Sequence, residues 1–439
     1  MLKANNSQCS ESSTTCMDVL YTSAIGVDVH RDILVCHFQK GSGRTLIQEQ
    51  KEFSTTATGL CEFTEWCQLR QPQIIGMEST GVLWRSAYES LESVGYSRKE
   101  LVVLNARTVK ALMGKKTDKN DARRLAKFLM VGDFKASFIP SPDFRLQRTA
   151  ARRYSKLVSL VNSLKQEKCK LLNEIGLRVT SVFSDPYGKS AQKIIEAYLR
   201  GEDLLKAIQK YRDPRCHHSV KEIYDALKFE LTEHYRDLIR YLDSDIEYAI
   251  SSKERSFKKL QAIQAPYQSF IDILTSIPSI NEISARLIFA EISDEVCEVF
   301  SSVEKFCSWC GLAPGNNESA KKAKPGCPTV KGNPHVRRAL VECVHGLAKS
   351  KKTGLTKRFE AFKIRRGMRK AIVATAHLLA RIIYALIKAR RKFEEQPCDA
   401  DKKAVCNRIQ KLRKSAQHNG YLLAEINLLD TKSGEITGV

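Results

Sequence analysis

The sequence predicts a mixed α/β N-terminal region, then long coiled-coil-like helices, then a mainly α-helical C-terminal region. Three observations carry this reading. Short β-rich runs cluster between residues 21 and 143, and apolar residues recur every three to four positions between 144 and 265. From 266 to 391 helix-forming composition dominates, with Gly and Pro concentrated between Gly311 and Pro334.

In the first region, TSAIGVDVH reads as a strand reaching Asp28, and DILVCHFQ as its hairpin partner. QIIGMES is a second strand-like run, ending at Glu78, and ELVVLNA a third. KTDKNDARRLAKFLMVG has few β-branched residues and reads as a helix. Strands in series followed by a helix suit a layered α/β architecture. In the middle region Leu157, Val161, Leu164, Leu171 and Ile175 form one apolar stripe, interrupted by Lys168. Leu227, Leu231, Leu238, Leu242, Ile246 and Ile250 form another. A coiled coil and a plain helical bundle both satisfy this pattern. Residues 1–20 are a Ser/Thr/Asn-rich leader expected to be disordered, and 392–439 a polar, loosely ordered tail.

The formal charge of +23 is the strongest bulk signal. Self-repulsion on that scale favours a polyanionic partner, and nucleic acid is the usual one. Residues 321–370 hold sixteen Lys or Arg against Glu342 and Glu360, which makes them the best phosphate-tracking segment. No apolar run is expected to approach the ~20 residues of a membrane span. The N-terminus has neither the basic nor the apolar stretch of a signal peptide, so the expected location is cytoplasmic, with no membrane partner. The fourteen cysteines then read as reduced thiols. Cys307 and Cys310 form a CxxC with no second pair at zinc spacing, and Cys216-His217-His218 is equally isolated.

Four acids stand where strand and helix ends would gather them: Asp28, Glu78, Asp118 and Asp121. Asp28 lies in an apolar strand, where an acid is expensive to bury without a partner. Asp118 and Asp121, three apart, share one helix face. Two carboxylates ~5 Å apart repel by about 3 kcal/mol at an effective dielectric near 20. A divalent cation removes that penalty, and an oxygen-rich set favours Mg2+ or Mn2+. Taken singly, Asp118 and Asp121 could instead be a solvated face paired with Lys115, Lys116 and Lys119.

GVDVHRD, GMESTG and KTDKNDA resemble the successive motifs of the insertion sequence 110 family of transposases. The likeness continues through RLQRTAARRYSKLVSLVNSLK, and then WCGLAPGNNESAKK, VKGNPHVRRALVECV and RRGMRKAIVATAHLLARIIYAL, covering most of residues 23–390. It implies an RNase-H-like (RuvC-type) domain over 21–143 with a DEDD metal site at Asp28, Glu78, Asp118 and Asp121. It further implies a C-terminal transposase domain over 266–391 with a nucleophilic serine at Ser319. Composition alone leaves Ser308 and Thr329 as equal rivals to Ser319. Asn333-Pro334 reads as a helix cap followed by proline at the first helical position. The cations expected to face nucleic acid are Lys115, Lys116, Lys119, Arg145, Arg152, Arg153, Lys321, Lys322, Lys324, Lys331, Arg337, Arg338, Arg365, Arg366, Arg369 and Lys370.

Two departures stand out. The family's Pro-Gly-Ile-Gly hairpin is Pro278-Ser279-Ile280-Asn281 here, which predicts a less intimate backbone approach to DNA. The family's Ser-Gly is Ser319-Ala320. The resemblance implies cleavage and strand exchange on donor and target DNA, guidance by an element-encoded RNA, and a dimer or tetramer. Two other readings fit the composition: a junction-resolving nuclease that uses the acids and water alone, and a basic nucleic-acid-binding protein without chemistry.

Overall fold

The computed structural model describes residues 20–78, 81–104, 121–132, 134, 136–315, 328–350 and 353–394, with scattered residues of the tail. They form two compact units, Met1–Ser141 and Pro142–Val439.

The first unit is built on a five-stranded sheet in the order β3-β2-β1-β4-β5. β1 (Ser23–Val29) and β2 (Ile33–Lys40) are the expected hairpin, and β3 (Ile47–Ser54) extends it antiparallel. β4 (Ile74–Glu78) and β5 (Leu101–Leu104) continue the sheet parallel to β1. This order and mixed polarity are consistent with the RNase-H-like fold. β3 is invisible to apolar patterning because IQEQKEFS is an edge strand with only Phe53 buried.

Strand alternation sends Ile25, Val27 and Val29 to one face, where Phe63, Trp66 and Cys67 of α1 (Ala57–Arg70) cover them. Tyr88 and Leu91 of α2 (Trp84–Ser93) complete that layer. Ala24, Ile74, Val102 and Leu104 face the other way, onto Leu125, Leu129 and Met130 of α3 (Asp121–Val131). Asp28 and Glu78 keep the parity of Ala24 and Ile74, so both acids belong to the face that α3 covers.

The second unit is helical. α4 (Pro142–Glu174) runs antiparallel to α9 (Glu233–Ile263), as three contacts show. Gln147 meets Gln264, Tyr154 meets Phe257, and Lys168 meets Asp243. Lys168, the interruption in the apolar stripe, is buried, and its ammonium donates to the Asp243 carboxylate. The break in the stripe is therefore a register-fixing ion pair between the long helices. Four shorter helices lie between them in sequence: α5 (Val179–Val182), α6 (Lys189–Leu199), α7 (Leu204–Tyr211) and α8 (Val220–Leu227). Their apolar faces share one core with Leu172 and Ile239 of the long pair and with Ile175, just past the end of α4.

The remaining helices are α10 (Gln268–Thr275), α11 (Glu282–Ile292), α12 (Val296–Val299), α13 (Val303–Trp309), α14 (Pro334–Lys349), α15 (Gly354–Arg366) and α16 (Met368–Ala389). α16 corrects one expectation, since it is long and apolar enough to cross a membrane by length and composition. Half of its most apolar stretch is buried within the protein, and the Tyr384 hydroxyl donates to the Phe300 carbonyl at 2.6 Å. A core helix accounts for that composition. In the tail, Asn427–Leu429 and Ile436–Gly438 pair as a short antiparallel ladder.

The turn before α11, Pro278-Ser279-Ile280-Asn281, is built without glycine. The Ile280 amide donates to the Ile277 carbonyl at 3.1 Å, closing a tight turn with Pro278 and Ser279 at its centre. Ser279 sits there at φ 75°, the left-handed value that the third position of a type II turn requires and glycine supplies without strain. Its buried hydroxyl has no hydrogen-bond partner among the described residues. The turn is thus retained at a cost, and Asn281 takes up the cap of α11 by accepting from the Ser284 amide. Ser279→Gly is expected to stabilise the protein by about 1 kcal/mol, read as a raised urea midpoint at unchanged slope. An unchanged or lowered midpoint contradicts this.

Candidate active site

The N-terminal site is assembled by register. β1 and β4 pair as Gly26↔Gly76 and Val27↔Met77, and carrying the ladder one residue further sets Asp28 beside Glu78. The direction of α3 follows from its two ends. The Leu20 and Tyr21 amides donate to the Met130 carbonyl at 2.9 and 3.1 Å, so the C-terminus of α3 lies at the start of β1. Its N-terminus, which Asp121 opens, therefore lies toward the Asp28 end. Gly26 makes the approach possible: a Cβ there would stand 2.2 Å from the Ala122 carbonyl oxygen and 2.6 Å from the Ala126 nitrogen. Gly76 plays the same part under Leu129, whose side chain would lie 2.6 Å from an added Cβ. At Gly26 the helix backbone takes the space a side chain would fill, and at Gly76 the Leu129 side chain takes it.

Three of the four expected acids are thus on one face and at one end of the sheet, each from a different element. The fourth, Asp118, lies outside the described residues, as do Lys115, Lys116 and Lys119. Asp28 and Asp121 are mostly buried, each with about a sixth of its side chain exposed. Asp28 Oδ2 lies 3.2 Å from Nε2 of His30, and Asp121 Oδ1 lies 4.0 Å from Arg124. Among the described residues no three metal-ligating side chains close into a group. The donor type nevertheless suits a hard divalent ion: Asp28, Glu78 and Asp121 are all carboxylates, placed at one end of the sheet.

His30 is a neighbour that motif reading missed, although its signal was present: Asp-x-His at a strand end places both side chains on one face. His37 is another. It pairs with Gly26 across the hairpin and is buried beneath α3. Burial first, then Arg123 and Lys127, hold its imidazole below the usual histidine range.

In the second unit, Ser319, Lys321, Lys322 and Lys324 lie outside the described residues. The stems on either side of that segment are joined backbone to backbone. The Gly315 amide donates to the Pro328 carbonyl at 3.1 Å and the Val330 amide to the Ala313 carbonyl at 3.0 Å. Arg337 of α14 donates to the Gly311 carbonyl at 2.7 Å and to the Thr329 hydroxyl, gripping both stems. Of the rival hydroxyls, Thr329 is therefore held by Arg337, and Ser308 is half-buried in α13. Asn333 caps α14, its side-chain oxygen accepting from the His335 and Val336 amides at 2.9 and 3.3 Å.

The residue that fixes this cap was not anticipated. Glu291, in the last turn of α11, is almost fully buried. Its two oxygens accept from Arg152 at 2.7 and 2.9 Å, and Oε2 also accepts from Asn333 Nδ2 at 2.8 Å. Arg148 approaches at 3.5 Å and donates to the Glu291 carbonyl at 2.5 Å. Burial pushes the Glu291 carboxyl up, but Arg152, Arg148 and Asn333 together hold it below its ordinary value. For Arg148 burial prevails: desolvation pulls the guanidinium down to about 10, against the upward pull of Glu291 and with Arg152 adding to the fall.

The other expected nucleic-acid-facing cations divide by environment. Arg145 is buried, and Arg152 is committed to Glu291 although half exposed. Arg338 pairs with Glu342 at 2.9 Å. Arg153, Lys331, Arg365, Arg366, Arg369 and Lys370 are exposed. Cys307 and Cys310 are buried free thiols, with burial raising both, Cys307 to about 11.

A mixed five-stranded sheet followed by a helical unit is consistent with an RNase H-like N-terminal domain and a helical C-terminal region. Residues 25–176 match a family model described as "Transposase", of the DEDD type from insertion sequence 110. Residues 271–360 match a second, described as "Transposase IS116/IS110/IS902 family". The chain belongs to the IS110 family of transposases. It is also similar to "Putative transposase y4pF/y4sB" of Sinorhizobium fredii, at 28% identity over 126 residues. That match spans 28% of this chain and 32% of that protein.

Proposed function

We propose that the chain is a DNA transposase that cuts and rejoins strands to move a mobile element between donor and target DNA. The observation that supports this most directly is the placement of Asp28, Glu78 and Asp121 on one face and end of the sheet, across a Gly26 thin enough to admit the helix. Asp28, Glu78 and Asp121, with Asp118, would hold Mg2+ or Mn2+. When bound, such ions supply charge neutralisation at a phosphodiester and acidify a coordinated hydroxyl.

Ser319 is the proposed nucleophile. Its Oγ bonds to phosphorus as the bond from phosphorus to one deoxyribose oxygen breaks, and the proton lost by the serine passes to that departing oxygen. The phosphoserine ester conserves the bond energy, so a hydroxyl of a second strand can reverse the step. Lys321, Lys322, Lys324 and Lys331 neutralise phosphoryl charge beside it. The pinched stems at Gly315–Pro328 and Ala313–Val330 support this role, because they bring both ends of the Ser319 segment to one point. Guidance by a structured RNA accords with the basic surface, since A-form backbone can be gripped without base contacts. A dimer or tetramer lets the acids of one copy serve the serine of another.

The test is a covalent adduct. The full chain, incubated with end-labelled element DNA and Mg2+, is expected to give a denaturant-stable protein–DNA band that Ser319→Ala abolishes. A Ser319→Ala protein that cuts and rejoins normally, with no adduct in the parent, overturns the serine role in favour of a junction-resolving nuclease.

A further inference from the structure

The corner between α15 and α16 is an exposed basic feature of the second unit. All seven residues Ile364–Lys370 are solvent-exposed, and the chain reverses at Gly367 with φ 78°. Ile364 is 84% exposed and Met368 49% exposed, so two large apolar side chains flank the turn, the first almost fully open to solvent and the second about half so. Arg365, Arg366, Arg369 and Lys370 surround them. Arg365 leans on the Phe362 ring at 5.6 Å and donates to the Ala361 carbonyl at 3.2 Å. Arg366, Arg369 and Lys370 have no ion-pair partner among the described residues. The first turn of α16 carries no acid, and residues 354–370 hold seven cations against Glu360 alone.

Exposed isoleucine and methionine are costly in water, and unpaired like charges crowded around them are costly too. One class of partner relieves both. We propose that this corner grips duplex DNA, with Ile364, aided by Met368, wedged between base pairs while Arg366, Arg369 and Lys370 hold the flanking phosphates. Apolar wedges framed by cations unstack a base step and kink the duplex. A second copy of the chain is a poor occupant, because two such corners repel. The proposal rests on the reading of the chain as a DNA-processing protein, and deepens it by assigning a bending surface apart from the acids and Ser319.

The experiment uses the full chain and a mixed-sequence duplex of about 30 base pairs carrying a dye at each end and a 2-aminopurine reporter, without divalent ions. Binding is expected to shorten the end-to-end distance and brighten the reporter. Ile364→Ser is expected to abolish both signals and leave the salt dependence unchanged. Arg366→Gln with Arg369→Gln is expected to flatten the slope of log affinity against log salt by about 2. Retained bending and reporter signal in Ile364→Ser overturns the wedge, and an unchanged salt slope in the double variant overturns the phosphate contacts. Tighter binding of the corner to anionic lipid vesicles or to duplex RNA than to duplex DNA, lost in the same variants, overturns the choice of partner. Strand cutting by the same proteins is scored separately, so a failed corner leaves the catalytic reading standing, and failed cutting leaves the corner standing.

Discussion

Glu291→Gln is expected to destabilise the helical unit by about 3 kcal/mol, a large effect for one buried substitution. The amide has nearly the shape of the carboxylate, so packing is conserved. What is lost is the single negative charge between Arg148 and Arg152, at 3.5 and 2.7 Å. Removing one partner of a buried pair costs about 3–5 kcal/mol, and the lower figure applies because Arg152 is half exposed and screened. Arg152→Ala is expected to cost less, about 1 kcal/mol, since Arg148 and Asn333 still serve Glu291. The effect also has a pH signature. The folded carboxyl is held below its ordinary value of 4.5. Its stabilising contribution is therefore complete above about pH 4.5 and lost as pH falls through the folded value. Urea unfolding at pH 7 and pH 4 should show the gap between parent and Glu291→Gln narrowing in acid. Equal stability at pH 7 contradicts the account. Because Asn333 hangs from Glu291 and caps α14, the variant should also loosen the stems beside Ser319.

Glu291 shows why part of the site was unreadable in the sequence. In EISARLIFAEI an acid among apolar residues announces a buried charge, but its partners lie some 140 positions earlier in Arg148 and Arg152 and about 40 later in Asn333. No local pattern connects them. The strands carrying Asp28 and Glu78 were legible because β1 and β4, covered on both faces, are short near-continuous apolar runs. β3 was not, since an edge strand rich in Lys, Glu and Gln has no buried face to betray it. Lys168 read as a flaw in an apolar stripe and is a buried partner of Asp243. α16 departs from expectation for the opposite reason: its charges are sparse, and half of its most apolar stretch is buried against neighbouring helices. Ser319 was reached through motif likeness alone, and a loop hydroxyl offers no periodicity to confirm it.

Asp28→Asn is the second substitution with a large expected effect. Strand cutting should fall about 10³-fold, as for loss of a group that acts in concert with others. Thermal stability should hold or rise, because one of several mutually repelling carboxylates is neutralised. A structural role would instead lower stability along with activity. Asp121→Asn should behave alike, and the double variant should be little worse than either single one, since both serve one centre.

If these acids form one cation site, the full chain should take up Mn2+, followed through the paramagnetic signal of the free ion. Asp28→Asn and Asp121→Asn should each weaken binding by at least about tenfold. Equal uptake by the parent and by the double variant would contradict the account.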